Sequence, residues 1–379
     1  MTMTIPTRPA GAARNYAQNP LLVYWEMTQA CALACRHCRA EAMPTRHPAE
    51  LNYLEGRELL RQIAGFGAPA PQLVLTGGDP LDRPDLFDLI DDAQSLGLSV
   101  SITPSATPRL TRPVIASLKD HGIRSLGLSL DGATAARHDA VRGIDGCFER
   151  TMEALRAGTE LGIPMQVNTL VAAETLADLP QIYELLKAFK VMRWGLFFLV
   201  AVGRGRVLRE ISAEQAETLM HWIYTTSLVA PFAIKTTEAP WYRRVALERM
   251  RADGMTPQQI RATSMYAGFG IRDGNGIVFI GSTGSVYPAG FLPIEVGNVR
   301  SNHLVALYRT APLFQGLRRP SAFAGKCGAC EYRMICGGSR ARAYTASGDA
   351  LASDPLCPYQ PDQRGGPQRP VELELAAAP

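Results

Sequence analysis

Short apolar segments alternate with amphipathic segments from residue 21 to about residue 202. The apolar segments have the length of buried β-strands, and the segments between them carry apolar residues at helical spacing and mostly end at a glycine. This alternation is typical of repeated βα units and predicts an α/β fold with a parallel sheet. The six predicted strands cover residues 21–27, 71–78, 98–104, 124–132, 164–171 and 193–200.

Six βα units are fewer than the eight that close a barrel, so we predict a partial (β/α)6 TIM-like barrel over residues 21–211. Functional residues in such folds lie at the carboxyl ends of the strands. Three polar sequences stand at predicted strand ends: "CALACRHC" after the first strand, "TGGDP" at the second and "SLDG" at the fourth. We therefore expect these three sequences to form one site.

The rest of the chain has a different texture. Residues 212–270 are mostly polar, with apolar residues at helical spacing, and predict a helical bridge. Residues 271–362 contain short Gly-rich segments that predict β-hairpins, followed by a group of cysteines. We predict that this second region is a small α+β domain. Residues 1–20 and 363–379 lack periodic apolar positions and are predicted to be flexible termini.

Composition and charge narrow the function classes. Hydrophobic residues make up 46% and charged residues 20% of the 379 positions, which is ordinary for a globular protein. The net charge of +4 is too small and too scattered to indicate a nucleic-acid partner. No apolar run is long enough to span a bilayer, and the N-terminal segment lacks the apolar run of a signal peptide, so we predict a cytoplasmic protein.

Seven of the eight cysteines fall in two groups. Cytoplasmic thiols stay reduced, so grouped cysteines are first interpreted as metal ligands. Cys31, Cys35 and Cys38 have CxxxCxxC spacing, and three soft thiolates suit an iron-sulfur cluster that keeps one iron open. Zinc bound by the same three cysteines with water or His37 is the alternative.

The second group consists of Cys327, Cys330, Cys336 and Cys357. Four cysteines at this spacing can hold either a structural zinc ion or a fully ligated iron-sulfur cluster, and the spacing does not separate the two. The remaining cysteine, Cys147, stands at the start of a predicted helix, where a free cysteine is usually a small buried apolar residue. We assign it no role.

The three motifs, taken in order, are similar to those of the radical S-adenosylmethionine superfamily over about residues 21–202. The resemblance implies a 4Fe-4S cluster on Cys31, Cys35 and Cys38, whose open iron is chelated by the methionine moiety of S-adenosylmethionine. Reductive cleavage then yields a 5′-deoxyadenosyl radical that abstracts hydrogen from a substrate. A small electron-transfer protein is the implied reductant.

The same resemblance implies a set of S-adenosylmethionine-binding residues. The turn 77–80 matches a GGEP-like turn whose backbone binds the methionine amino group, with aspartate in place of the commoner glutamate. Ser129 and Arg142 match positions that contact the methionine carboxylate and the ribose, and His37 takes the usual aromatic position before the last cysteine. The alternatives are that the 77–80 segment is an ordinary tight turn and that Arg142 is a surface arginine. The full set is His37, Gly77, Gly78, Asp79, Pro80, Ser129 and Arg142.

The C-terminal cysteines resemble the SPASM or twitch extension of this superfamily, which binds auxiliary 4Fe-4S clusters. The full SPASM pattern has seven cysteines for two clusters, but Ala289 and Arg340 stand here where relatives often have cysteine. One auxiliary cluster therefore fits the available ligands. With four protein ligands it is expected to transfer electrons or to hold structure.

The segments "ICGGSRARAY", "SGD" and "DPLC" resemble segments of tetrapyrrole-modifying members of the superfamily. These include the heme synthase of the alternative pathway, which oxidatively decarboxylates iron-coproporphyrin propionates, and heme d1 maturation enzymes. A SPASM-type peptide maturase and a non-catalytic iron-sulfur or zinc scaffold are the alternatives. A propionate-bearing macrocycle needs an apolar cleft with cations, for which the candidates are Arg204, Arg206, Arg340, Arg342, Phe197, Phe198 and Trp241.

Overall fold

The computed structural model describes residues 14–361, and in this part of the chain ten strands form one sheet. The strand order is β10-β9-β8-β1-β2-β3-β4-β5-β6-β7. The strands are β1 (Leu22–Glu26), β2 (Gln72–Thr76), β3 (Ser99–Ile102), β4 (Ser125–Ser129), β5 (Met165–Val171), β6 (Val191–Phe198), β7 (Ala233–Thr237), β8 (Ile277–Ile280), β9 (Ser285–Tyr287) and β10 (Gly297–Asn298).

Strands β1 to β7 follow one another in chain order, and each is parallel to the next. Helices connect them, as parallel crossovers require. This arrangement confirms the predicted α/β fold. The helices are α1 (Tyr53–Ala64), α2 (Leu86–Ser95), α3 (Arg112–Asp120), α4 (Ala135–Arg142), α5 (Cys147–Leu161), α6 (Leu179–Leu186), α7 (Ala213–Ser227), α8 (Tyr242–Ala252), α9 (Pro257–Arg261), α10 (Leu304–Thr310), α11 (Pro312–Leu317), α12 (Gly325–Ala329) and α13 (Arg340–Ser347).

Helix α1 shows how the sequence produces the repeated unit. Asn52 accepts a hydrogen bond from the Glu55 backbone, and the Glu55 side chain accepts one from the Asn52 backbone, so the first turn is capped reciprocally. Leu59, Leu60 and Ile63 follow at helical spacing and are buried against the sheet. Burying each such side chain stabilises the fold by about 1.5–3 kcal/mol.

The sheet has more strands than the sequence predicted. Segment 212–270 contains the expected helices α7 to α9, but it also contains β7, which pairs with β6 at the sheet edge. Its sequence "AIKTT" buries only Ile234 fully, so it carries almost no apolar alternation. Edge strands have one paired side and therefore leave this weaker signal in a sequence.

The C-terminal region is joined to the barrel by the same sheet. The predicted hairpin exists as β8 and β9, which pair antiparallel, but β8 also pairs in parallel with β1. The structure therefore continues the sheet across the predicted domain boundary at residue 271. The second group of cysteines is thereby held in a fixed relation to the barrel.

The predicted flexible termini lie partly outside the described residues, at 1–13 and 362–379. Within the described part, residues 14–20 hold contacts with the C-terminal region: the Tyr308 hydroxyl donates to the Tyr16 carbonyl, and Arg309 donates to the Gln18 carbonyl at 3.0 Å. Between residues 14 and 361, no helix has the length and apolar character needed to cross a membrane.

Candidate functional site

A cavity of about 240 Å³ lies at the carboxyl ends of the parallel strands. It brings together residues from the first, second and fourth βα units, as the sequence predicted. The predicted residues on its wall are Cys31, Cys35, Cys38, His37, Gly77, Gly78, Ser129 and Arg142. Asp79 and Pro80 do not line it.

The loop that carries the first group of cysteines is fixed by hydrogen bonds from an arginine that follows β6. Arg204 donates to the carbonyls of Cys35 and Ala42, each at 3.0 Å. Backbone amides of the loop also approach the sulfurs: the Leu33 N–H lies 3.3 Å from Cys31 Sγ, and the Ala42 N–H lies 3.4 Å from Cys38 Sγ. Donors of this kind stabilise thiolate sulfur, so the loop suits a metal cluster bound through three thiolates.

The turn after β2 lies directly against this loop. The Gly78 N–H donates to the Thr28 carbonyl at 2.8 Å, and the Asp79 N–H donates to the Ala30 carbonyl at 2.6 Å. A Cβ atom on Gly78 would lie 2.2 Å from the Ala30 carbonyl oxygen. Glycine is therefore required for this close approach.

Asp79 acts as a support for the turn. Its carboxylate is fully buried and accepts hydrogen bonds from the backbone of Leu81 and Ser105 and from the Thr107 hydroxyl at 2.8 Å. Burial raises the pKa of Asp79 to about 6, although these donors oppose the shift. Asp79 thus fixes the turn to the loop after β3 without reaching the cavity.

We expect Gly78→Ala to weaken S-adenosylmethionine binding by at least about tenfold, because the added methyl group must displace the backbone before Cys31. Equilibrium binding to the reconstituted protein measures the effect. Gly316→Ala is the matched control, since its Cβ would meet no atom closer than Leu351 at 3.9 Å. Equal affinity of the two variants would contradict the role of the turn.

A buried ion pair forms the wall opposite the turn. Arg142 Nη2 lies 2.6 Å from Asp131 Oδ2, and Arg142 Nη1 lies 3.7 Å from Cys35 Sγ. Burial disfavours ionised Asp131, but Arg142, His37 and His138 outweigh this effect and lower its pKa. The sequence prediction missed Asp131, although the aspartate of "SLDG" marked its position.

Two imidazoles beside this ion pair remain neutral near pH 7. Burial lowers the pKa of His37 and of His138 to about 4. The His138 Nδ1 atom accepts a hydrogen bond from the Asp131 backbone at 3.0 Å. Among the described residues, His37 Nδ1 has no hydrogen-bond partner. The Arg142 Nε atom also lacks one there, so this wall retains polar atoms available to a ligand.

The second group of cysteines lines a separate small cavity with Trp241 and Gly338 on its wall. Burial raises the pKa of Cys330, Cys336 and Cys357 to about 12, so these side chains are thiols unless a metal displaces the protons. N–H donors nevertheless approach the sulfurs of this group, including Gly338 at 3.3 Å from Cys336 and Asp354 at 3.3 Å from Cys327. Four soft donors with such support fit an iron-sulfur cluster.

Several residues that the sequence suggested for a substrate cleft lie elsewhere in the structure. Arg340 is fully buried and donates to the Ala352 carbonyl and the Cys327 sulfur. Arg342 is buried and paired with Glu210. The prediction that these arginines face a substrate cleft was wrong, because the first turn of α13, in which both stand, is buried. Trp241 is buried beside the second cysteine group, and Arg206 is exposed and lies on neither cysteine cavity.

A third cavity, of about 270 Å³, is lined by residues of β1, β5, β6 and β7 and adjoins both cavities described above. Phe197 stands on its wall and on the wall of the first cavity, whereas Gly338 stands on its wall and on that of the second cysteine group. Phe197 and Phe198 line the first cavity. The sequence did not reveal the third cavity, because its wall depends on the pairing of β6 with β7.

Comparison with known proteins supports the predicted family. The model of the radical SAM superfamily matches residues 25–186. An AdoMet-dependent heme synthase from Oleidesulfovibrio alaskensis is 36% identical over 92% of this chain and 89% of that protein. A pre-heme d1 synthase from Dinoroseobacter shibae is 30% identical over 89% of this chain and 85% of that protein.

A solved structure has the same fold. Streptococcus suis SuiB bound to S-adenosylmethionine superposes with a TM-score of 0.70 at 17% identity, over 90% of this chain and 78% of SuiB. The cysteine loop, the glycine turn and the Arg142 wall meet at one cavity in this chain, in the region that the family model matches. The chain therefore belongs to the radical SAM superfamily and is an enzyme that binds a 4Fe-4S cluster and S-adenosylmethionine.

Proposed function

We propose that this enzyme modifies the propionate side chains of a tetrapyrrole, as a heme synthase does. In this proposal Cys31, Cys35 and Cys38 ligate the cluster that binds S-adenosylmethionine. The second cysteine group ligates one auxiliary 4Fe-4S cluster. S-adenosylmethionine contacts His37, the backbone of the 77–80 turn, Ser129 and Arg142.

The observation that carries the proposal is the third cavity. It adjoins the first cavity at Phe197 and the second cysteine group at Gly338. A substrate held there lies beside the cavity of the first cysteine group, the proposed source of the radical, and beside the second cysteine group, the proposed electron acceptor. The identity of 36% over nearly the whole length of a heme synthase supports the same substrate class.

The proposed reaction balances with these two sites. When bound, the first cluster and S-adenosylmethionine supply a 5′-deoxyadenosyl radical, which removes one hydrogen atom from the propionate carbon next to the ring. Loss of carbon dioxide and one electron from the resulting substrate radical then leaves a vinyl group. Cys327, Cys330, Cys336 and Cys357 would hold an auxiliary cluster that would accept this electron, and an external acceptor would finally take it up. The chain's own residues orient the substrate and exclude water.

The other partners are proposed on chemical grounds. A small electron-transfer protein supplies the electron for each cleavage of S-adenosylmethionine. A reducing cytoplasm keeps both cysteine groups available to metal. A peptide substrate is less well supported, because the resemblance to SuiB at 17% identity reaches only as far as the fold.

An anaerobic assay tests the proposal. Reconstituted, reduced protein is incubated with S-adenosylmethionine and iron-coproporphyrin III, and products are separated by liquid chromatography with mass detection. We expect 5′-deoxyadenosine and a porphyrin that has lost one or two carboxyl groups. Cleavage of S-adenosylmethionine with an unchanged porphyrin would contradict the tetrapyrrole proposal, and absence of any cleavage would favour a non-catalytic scaffold.

A further inference from the structure

The wall of the third cavity carries four cations: Arg193, Lys235, Arg243 and Arg272. Among the described residues, no carboxylate lies within 4.0 Å of any of these four side chains, the distance at which an ion pair forms. Two buried arginines elsewhere in the chain have such a partner: Arg142 pairs with Asp131, and Arg244 pairs with Glu217. Arg340, by contrast, is buried and bonded to carbonyl oxygens and a cysteine sulfur.

Two of these guanidinium groups also have unsatisfied nitrogen atoms. Arg193 Nη1 donates to Gln166 at 3.1 Å, but its buried Nε has no partner among the described residues. Arg272 is 6% exposed and donates through Nε to the Leu317 carbonyl, whereas its Nη1 has no partner there. Of the four cations, Arg272 is buried, Arg193 and Arg243 are half-buried, and Lys235 is exposed. Cations without a counter-charge on the wall of one cavity favour an anionic occupant.

Two carboxylates share this wall with the cations. Glu238 and Asp273 both line the cavity. Burial and the neighbouring Asp273 raise the pKa of Glu238 to about 8, and burial also raises the pKa of Asp273. Burial lowers the pKa of Arg243 and Arg272, and Asp273 opposes both shifts. Asp273 therefore offsets part of the charge, but the cations on the wall outnumber the carboxylates.

The strand register places the cations at a set distance from the first cavity. Arg193, Gly195 and Phe197 alternate onto one face of β6, and Lys235 pairs with Gly195 on β7. Phe197 lies four residue steps along the strand from Arg193, which corresponds to about 13 Å. Between them, Asn168 and Phe197 pack against Gly195, where a Cβ atom would meet their side chains at 2.9 and 3.2 Å. This face of the two strands therefore runs from the cations to the wall of the first cavity.

We propose that Arg193 and Lys235, with Arg243 and Arg272 around them, form a binding site for the carboxylates of a substrate with an apolar body. The site deepens the proposed function and rests on it. The propionates that do not react are held at the cationic end. The ring occupies the rest of the third cavity, and the reacting propionate extends past Phe197 toward the first cavity. Guanidinium groups suit this role because their paired N–H donors match a carboxylate.

Binding measurements on the reconstituted holoenzyme test the site. The probes are iron-coproporphyrin III, its tetramethyl ester and a peptide rich in glutamate, each titrated by absorption or fluorescence. We expect wild-type protein to bind the tetracarboxylate at least about tenfold more tightly than the ester, and Arg193→Gln or Lys235→Met to lose about tenfold to hundredfold in affinity. Iron content and the midpoint of thermal unfolding verify that each variant is folded.

Surface substitutions serve as matched controls. Arg61→Gln removes a half-exposed arginine on α1, and Lys187→Met removes a half-exposed lysine at the end of α6. Both should bind the tetracarboxylate as wild type does. If the two cavity variants also bind it as wild type does, the cations are merely hydrated and the inference fails, while the proposed function stands.

The remaining outcomes separate the two proposals. If wild type binds the peptide and not the porphyrin, and Arg193→Gln and Lys235→Met weaken that binding, the carboxylate site stands and the tetrapyrrole substrate is wrong. If wild type binds neither carboxylate probe, both proposals fail.

Discussion

Cys35→Ala is expected to abolish the formation of 5′-deoxyadenosine. In the proposed ligand set, Cys35 is the middle cysteine of the loop, is buried on the wall of the first cavity and has Arg142 3.7 Å from its sulfur. Removing one of three ligands leaves a cluster with two, which cannot hold a cubane with a single open iron. We expect at least about a thousandfold loss of rate, or more than about 4 kcal/mol of activation free energy. The measurement is anaerobic product analysis with reduced protein.

Cys147→Ala is the control for iron binding. Cys147 is also buried and stands on the wall of the same cavity, but its sulfur lies 3.8 Å from the Ala106 carbonyl and belongs to no CxxC spacing. We expect this variant to keep the wild-type iron content, whereas Cys35→Ala should lose about four irons per chain. Full 5′-deoxyadenosine formation by Cys35→Ala would remove the proposed ligand set.

The parts of the site that the sequence predicted share one property: they are local. The CxxxCxxC spacing, the "TGGDP" turn and the arginine of "VRG" each occur within a few positions, directly after a recognisable strand. Because the carboxyl ends of parallel strands meet at one edge of a sheet, correct strand positions were enough to bring these sequences together. The close approach of Gly78 to the Ala30 carbonyl then gives a physical reason for glycine in that turn.

The third cavity could not be predicted, because it depends on pairing across the sheet. Arg193 lies inside a strand whose alternation was recognised, but its neighbour Lys235 lies on β7, where "AIKTT" carries little apolar signal. Without β7, neither the register nor the shared face could be inferred. The prediction for Arg342 failed for a different reason. Its charge suggested contact with solvent or substrate, but in the fold it pairs with Glu210 and Asp354, which the sequence pattern did not connect to it.

Cys336→Ala is expected to separate cleavage of S-adenosylmethionine from modification of the substrate. Cys336 is buried in the second cysteine group, and Gly338 donates to its sulfur at 3.3 Å. If this group holds the auxiliary cluster, the variant should retain about four irons of about eight and should still form 5′-deoxyadenosine. Conversion of the porphyrin should fall at least about hundredfold, because the electron released with carbon dioxide has no acceptor.

An added one-electron oxidant distinguishes electron transfer from structural support. If the auxiliary cluster accepts the electron, such an oxidant should restore part of the decarboxylation in Cys336→Ala, with carbon dioxide and the vinyl product formed in equal amounts. If the cluster only supports the fold, the oxidant should restore nothing, and porphyrin binding should fall together with the unfolding midpoint. Undiminished conversion by a variant that retains only four irons would contradict both roles.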